Sequence, residues 1–241
     1  MATISGIFMR PLAPALVFLA LVFSMDIEAD ARTERPTTAA GSGGAFDLHL
    51  VREDLTVEYR DSSAGGDFEL TRIGVAFHEY LSETIRGGVA IGATGIRQRD
   101  RPATSEVDPT GWSFGLDFEQ IWPREARLRL NTGISWRFTR ADRSDDDGNE
   151  TILDWHTAEA RTGLVTRLTP AVAVRVGAAY KWVRGDERFR GDESTTTRFH
   201  LDDPLSGFVQ LDFRTSREGV IRFHARGGNP TGARILFEYN Y

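Results

Sequence analysis

The sequence predicts an all-β chain that closes into a transmembrane antiparallel up-and-down β-barrel of about ten strands. Three observations carry the expectation. Long segments alternate strictly between apolar and polar residues, aromatic residues gather toward strand ends, and connections alternate between tight and long. From Phe46 onward a helical hydrophobic period is almost absent.

Composition excludes several classes. The chain has 241 residues, 40% hydrophobic and 27% charged, with 10% aromatic and a formal charge of −6. A many-span helical membrane protein would be more apolar, and a disordered chain would carry fewer aromatics. The negative charge argues against a nucleic-acid partner. There is no Cys, which excludes a disulfide framework, a zinc-thiolate site and a cysteine nucleophile. Of 29 basic residues only Lys181 is a lysine.

Residues 1–31 read as a signal peptide. Arg10 supplies the positive start, Leu12 to Met25 the apolar stretch, and Ala29-Asp30-Ala31 a small-x-small cleavage site. The apolar run falls short of the roughly 20 residues a spanning helix needs. Residues 32–45, polar and rich in small side chains, are expected to be a disordered lead-in, leaving 46–241 as the barrel.

The expected strands are 46–60, 67–81, 85–97, 110–122, 125–140, 152–168, 171–184, 197–214, 219–226 and 233–241. Residues 126–138 alternate most clearly. Ala126, Leu128, Leu130, Ile134, Trp136 and Phe138 share one face, and Arg127, Arg129, Asn131 and Arg137 the other. Val172, Val174, Val176, Tyr180 and Trp182 likewise oppose Arg175 and Lys181. A soluble sandwich could alternate too. Strands of roughly 11–17 residues favour a membrane, since soluble strands usually have about 5–6. Trp112 and Trp122 bracket a stretch that, tilted about 40°, spans roughly 25 Å, the height of an outer apolar band. Trp112, Trp136, Trp155, Tyr180 and Trp182 fall toward one end; Tyr80, Trp122, Tyr239 and Tyr241 fall toward the other, as an interfacial girdle would. The tight connections lie near 82–84, 123–124, 169–170 and 215–218. The longer ones lie near 61–66, 98–109, 141–151 and 185–196. Two strands change phase. Phe46, Leu48 and Leu50 are even, whereas Leu55, Val57 and Tyr59 are odd; Phe68 and Leu70 are out of step with Ile73, Val75 and Phe77. Either a bulge near Val51–Asp54 rephases the first strand or its first half lies outside the barrel, and eight strands remain an alternative.

With these features, and with the ending Ile235-x-Phe237-x-Tyr239-x-Tyr241, the chain resembles the small outer-membrane β-barrel proteins of Gram-negative bacteria. In that class the last residue is usually Phe, so Tyr241 departs mildly. The resemblance implies location in the outer membrane and contact with its lipid and lipopolysaccharide. It also implies recognition by the barrel-assembly machinery through Ile235, Phe237, Tyr239 and Tyr241. A monomer is expected.

If the apolar face meets lipid, a polar network fills the lumen: Arg127, Arg129, Arg137, Arg161, Arg167, Arg175, Lys181, Arg222 and Arg234 with Asp117, Glu119, Glu159, Asp212 and Glu238, joined by His78 and His224. Gly88, Gly92, Gly115, Gly133, Gly163 and Gly177 make room for it. A plugged or very narrow lumen is expected, with a small anion-favouring channel as the alternative.

No catalytic constellation and no cofactor is expected. The Asp142–Glu150 loop is acidic, but an EF-hand register with Gly148 sixth puts Arg143 first, where a carboxylate is required. A solvated loop is expected instead, and no metal site. The run Arg222-Phe223-His224-Ala225-Arg226 is faintly similar to outer-membrane lipid A deacylases, but Arg226 stands where that family has its serine nucleophile. His200-Leu201-Asp202-Asp203 is similar to the rim of omptin-like proteases only in reversed order. The expected role is non-enzymatic: structural or surface-interaction work, or narrow porin-like permeation. The rival readings are an outer-membrane enzyme acting on lipid A or peptides, and a soluble periplasmic lipocalin-like carrier.

Overall fold

A computed structural model describes residues 43–60, 65–82, 84–99, 108–122, 128–145, 148–191 and 194–241. The proposed signal peptide lies outside the described residues. The strands are β1 (Gly44–Tyr59), β2 (Gly65–Tyr80), β3 (Ile85–Arg99), β4 (Thr110–Trp122), β5 (Leu128–Ser144), β6 (Glu150–Arg167), β7 (Val172–Arg190), β8 (Thr195–Leu201), β9 (Leu205–Arg214), β10 (Gly219–Gly228) and β11 (Thr231–Asn240). Gly44 and Ala45, assigned by sequence to the lead-in, are the start of β1.

All pairings are antiparallel, and β11 pairs with β1 to close the ring. Ten strands form that ring in chain order, with β8 left out. β8 instead pairs with the far end of β7 and the last residues of β1, above the tips of β10 and β11. The expected strand 197–214 is therefore two strands. Asp203 (φ 41°) turns the chain through the left-handed region that Asp tolerates, and Pro204 offers no N–H to a ladder. Where β1 leaves β11 for β8, the Asn229 side chain fills the gap. Its Oδ1 accepts from Thr56 N (3.1 Å) and its Nδ2 donates to Thr56 O (2.8 Å) and to Asp202 O. A side-chain amide thus stands in for a missing strand neighbour.

The phase change has neither of its expected causes. β1 pairs with β2 without interruption from Gly44 to Glu58, and with β11 from Ala45 to Asp54. Odd-numbered residues point inward along the whole strand, and only their chemistry changes. Asp47 and His49 point inward at the end where Gly44 meets Tyr241, the terminal end, and Leu55, Val57 and Tyr59 at the other end. β2 behaves alike, with Phe68 and Leu70 inward at the loop end and Ile73 and Phe77 outward lower down.

Outside, Leu48, Ile73, Phe77, Ile91, Phe114, Phe118, Ile134, Leu164, Leu205, Phe223, Ile235 and Phe237 form an exposed apolar belt. Water does not tolerate so continuous a surface; hydrocarbon does. Above the belt the strands continue as a wall with charged outer faces. Arg52–Glu69 (2.8 Å), Arg190–Glu150 (3.1 Å), Arg140–Asp154 (3.8 Å), Arg198–Asp186 (3.7 Å) and Arg188–Asp154 pair across it. This wall explains why β5 and β7 run to Ser144 and Arg190, past the expected limits at 140 and 184. Their upper parts alternate charge with apolar, facing water rather than lipid.

Three glycine pairs face one another across neighbouring strands, Gly74↔Gly92, Gly163↔Gly177 and Gly207↔Gly227. A Cβ on Gly177 would sit 2.1 Å from Thr162 O and 2.7 Å from Gly163 Cα, so the ladder approaches too closely there for any side chain. Gly177→Ala is expected to cost about 1–3 kcal/mol by overpacking. Gly95→Ala, with nothing within 4 Å of the new carbon, is the neutral control. The temperature at which the folded, fast-migrating form is lost in detergent gels measures both.

Candidate functional site

The lumen is built from the inward residues of every ring strand, and their registers stack them in levels. At the terminal end lies an ion-paired tier. Arg86 Nη1 donates to Glu238 Oε2 (2.6 Å), Arg175 Nη1 and Asn131 Nδ2 donate to Glu119 Oε1 (2.6 and 2.9 Å), and Arg222 Nε donates to Asp212 Oδ1 (3.0 Å). His78 lies between Asp117 (2.9 Å) and Asp47 (3.3 Å). Toward the loop end is a second ion-paired tier. Lys181 Nζ donates to both oxygens of Glu53 (2.9 Å each), and Arg226 grips Glu159 with both ends of its fork (2.8 and 2.9 Å). Between the two tiers lie His49, Arg72, Arg137, Arg161, Arg234 and His224.

Above the upper tier the lumen turns apolar. Leu55, Val57, Tyr59, Phe68, Leu70, Ile96, Leu153, Trp155, Val183, Phe199 and Leu201 pack into one cluster. Phe199 lies edge-on to Phe68 (5.3 Å between ring centres) and to Tyr59 (6.2 Å), and Val57 is wholly buried. The Tyr59 hydroxyl donates to Glu187 Oε2 (3.0 Å), so its polar tip is satisfied within the cluster. Trp155, placed by sequence in the girdle, belongs here: it is an inward residue on a strand that has already risen above the belt.

Of the expected network, Arg137, Arg161, Arg175, Lys181, Arg222, Arg234, Asp117, Glu119 and Glu159 line the central lumen, and Arg129, Arg167, Asp212 and Glu238 line the vestibule at the terminal end. Arg127 lies outside the described residues. Trp112, Trp122, Trp136, Trp182, Tyr180, Tyr239 and Tyr241 face outward, and Trp112 packs on Phe138 (5.4 Å) while Trp136 stacks on His156 (5.7 Å). Sequence reasoning missed Asp47, His49, Glu53, Arg72 and Arg86 as lumen groups. Strict alternation from Phe46 and from Ile73 would have placed Asp47, His49 and Arg72 inward, had the apolar cap not disguised the phase. The glycines do make room: Gly88 faces the His78 ring, Gly92 Arg72, Gly115 Arg137, Gly133 Arg161 and Gly163 Arg175, whereas Gly177 faces Phe208.

The weaker motifs do not assemble. His224 stacks on Phe208 (5.1 Å, 21°) inside the lumen, and the Arg226 fork is taken by Glu159. His200 points outward and meets Glu58 (3.4 Å) rather than Asp202. In the acidic loop, Asp145 accepts from Asn149 N (2.8 Å) and Nδ2 (2.9 Å), which makes it a closed turn. Among the described residues no group of His, Asp and Glu could hold a metal ion.

No protein-family model and no curated protein matches the chain. Solved structures do. The outer-membrane protein AlkL in lipid bilayers superposes with TM-score 0.50 at 11% identity over 89% of this chain and 97% of that one. The translocator domain of the autotransporter NalP from Neisseria meningitidis gives TM-score 0.45 at 11% identity over 95% and 96%. The outer membrane protease OmpT from Escherichia coli gives 0.45 at 10% over 87% and 99%. With the apolar belt outside and the charged tiers inside, the class is decided. The chain is an outer-membrane β-barrel.

In barrels of this class the short turns lie in the periplasm and the longer loops outside. The vestibule, of about 280 Å³, opens at the end of the short turns, and the apolar cap lies at the end of the longer loops. Between them each tier carboxylate holds its cations in surroundings that screen charge poorly. Removing one partner leaves the others unpaired, which typically costs about 3–5 kcal/mol. Glu119→Gln, which strips the charge facing Arg175 and Arg86, is expected to lower unfolding stability in urea by that amount. Glu58→Gln on the outer wall, whose partner His200 is exposed, is expected to change it by less than about 1 kcal/mol.

Proposed function

We propose that this barrel works as a closed, non-enzymatic surface protein rather than as an open pore. The observation that carries the reading is the apolar cap: Phe199, Val57 and their neighbours fill the lumen at the loop end as a protein core would. A conducting barrel instead needs a continuous polar path. The charged wall above the belt gives the molecule its contact surface, and its outward Arg and acidic pairs suit lipopolysaccharide headgroups and their bridging cations. The reading includes export through the leader at 1–31, assembly through the β11 ending Ile235, Phe237, Tyr239 and Tyr241, and a monomeric barrel. That ending is at the seam: Tyr241 N donates to Gly44 O (3.0 Å) and Gly44 N to Tyr241 O (3.2 Å).

Planar-bilayer recording tests the closed lumen. The wild-type protein is expected to show no conductance steps; regular steps would restore the narrow porin-like alternative. Orientation is tested in the same protein because the chain has no Cys. Thr196→Cys, on β8, is expected to react with a membrane-impermeant maleimide on intact cells. Thr169→Cys, in the turn before β7, should react only after the outer membrane is opened. The reverse pattern would place the charged wall in the periplasm and end the surface role.

A further inference from the structure

The central tier is unlike those beside it. In the central lumen Glu53 is engaged by Lys181, Glu159 by Arg226, Glu119 by Arg175 and Asp117 by His78, and at the vestibule Glu238 is engaged by Arg86 and Asp212 by Arg222; Asp47 lies 3.3 Å from His78 with neither of its oxygens hydrogen-bonded. Arg72, Arg137, Arg161 and Arg234 make no ion pair and no side-chain hydrogen bond among the described residues. Their placement is specific. Arg234 of β11 and Arg72 of β2 flank Val51 on its two sides, His224 of β10 lies directly across from Arg234, and His49 sits two residues below Val51. Arg137 is within Coulombic reach of Arg72 and of Arg234, and Arg234 of Arg161; Glu53, Asp117 and Glu159 act on Arg137 at the same range and Asp47 on Arg234, but none of them pairs with these arginines. Arg72 and His49 are more than nine-tenths buried; Arg72 Nε, Arg161 Nε, Arg234 Nε and both ring nitrogens of His49 are sealed from solvent without a partner.

Four guanidinium groups from four strands, repelling one another at low dielectric, cost the fold heavily unless negative charge joins them. Around the central cavity nine cationic side chains face five carboxylates, an excess of four positive charges, and with the vestibule included twelve face seven. The groups line a cavity of about 140 Å³, against the roughly 10–15 Å³ that one water needs on the same measure. Planar forks arriving from several directions match the separate oxygens of a tetrahedral anion better than they match a single chloride. We propose that Arg72, Arg137, Arg161 and Arg234, with His49 and His224, form a lumenal binding site for one compact tetrahedral oxyanion of the phosphate or sulfate type, reached from the periplasmic vestibule.

The test uses the full-length barrel folded in detergent micelles. Phosphate and sulfate are titrated at constant ionic strength against chloride, and the temperature of heat modification is read. Binding to the folded form alone raises that temperature in a saturating manner. The expected result is a saturable rise with phosphate, with sulfate, or with both, and none with chloride; whichever acts identifies the source. Arg234→Met and Arg72→Met should need about tenfold more anion for the same rise. Without anion they should unfold at or above the wild-type temperature, since they remove uncompensated charge. Arg214→Met, at the vestibule mouth, should retain the wild-type response. If the lumen variants do not fold, phosphorus NMR of the wild-type protein decides: an exchange-broadened bound phosphate signal that sulfate displaces supports the site. Equal responses to chloride and phosphate, an unchanged response in both lumen variants, or a phosphate signal unaffected by the folded protein would overturn it.

Discussion

Every peptide group that faces hydrocarbon must find its hydrogen-bond partner within the chain, because the bilayer core offers none. This constraint shapes the barrel at its seam, and at the mouth above the belt the ladder is completed as well. At the seam, β11 runs against β1 over ten register positions, and the backbone of Tyr241 closes onto Gly44. At the mouth, β1 exchanges β11 for β8, and the amide of Asn229 takes up both backbone groups of Thr56 in the interval. Asp202 N, donating to the same Thr56 carbonyl (3.1 Å), anchors the point from which β8 begins its own pairing with Val57. The change from a ten-strand ring to a wall that β8 completes thus occurs without an exposed ladder edge.

Given closure, the inward face has to be filled, and the protein fills it in two ways. Within the belt it uses charge, with long Arg side chains laid over glycines of the neighbouring strand, as Arg161 lies over Gly133. Above the belt the outer surface is wet, and the wall no longer needs an apolar exterior. There the pattern inverts: charges such as Arg188 and Asp154 go outward, and Phe199, Trp155 and Val57 go inward. The barrel is consequently a membrane protein below and resembles a soluble β-barrel above, built from continuous strands. This division of fillings gives the lumen two chemistries, charged at the height of the belt and apolar above it. A polar tier can rearrange around an ion, whereas a packed aromatic cluster opens only by unfolding its contacts.

Much of the fold could be read from the residues. Trp112 to Trp122 and Leu128 to Phe138 announced long half-apolar strands, and the tight connections marked the hairpins. The strand count came close because the turn chemistry near 82–84, 169–170 and 215–218 is local. The break at Asp202–Pro204 was harder to read, since Phe199 and Leu201 continue the alternation up to the turn. The even-to-odd shift in β1 was legible as a change but not as a cause: a bulge and an inversion of faces produce the same string of letters.

By itself, the sequence determined the alternation, the strand lengths and the outward row of Val, Leu, Phe and Trp, because these depend on period two and on local turns. It also determined that Arg137, Arg161, Arg175 and Arg234 share the polar face of their strands. The tertiary structure alone decided which arginine meets which carboxylate, since Arg86 reaches Glu238 across 152 positions of the chain and Lys181 reaches Glu53 across 128. It likewise decided that Arg72, Arg137, Arg161 and Arg234 are left facing one another. Closing a ring brings together residues whose separation along the chain carries no information about their separation in space.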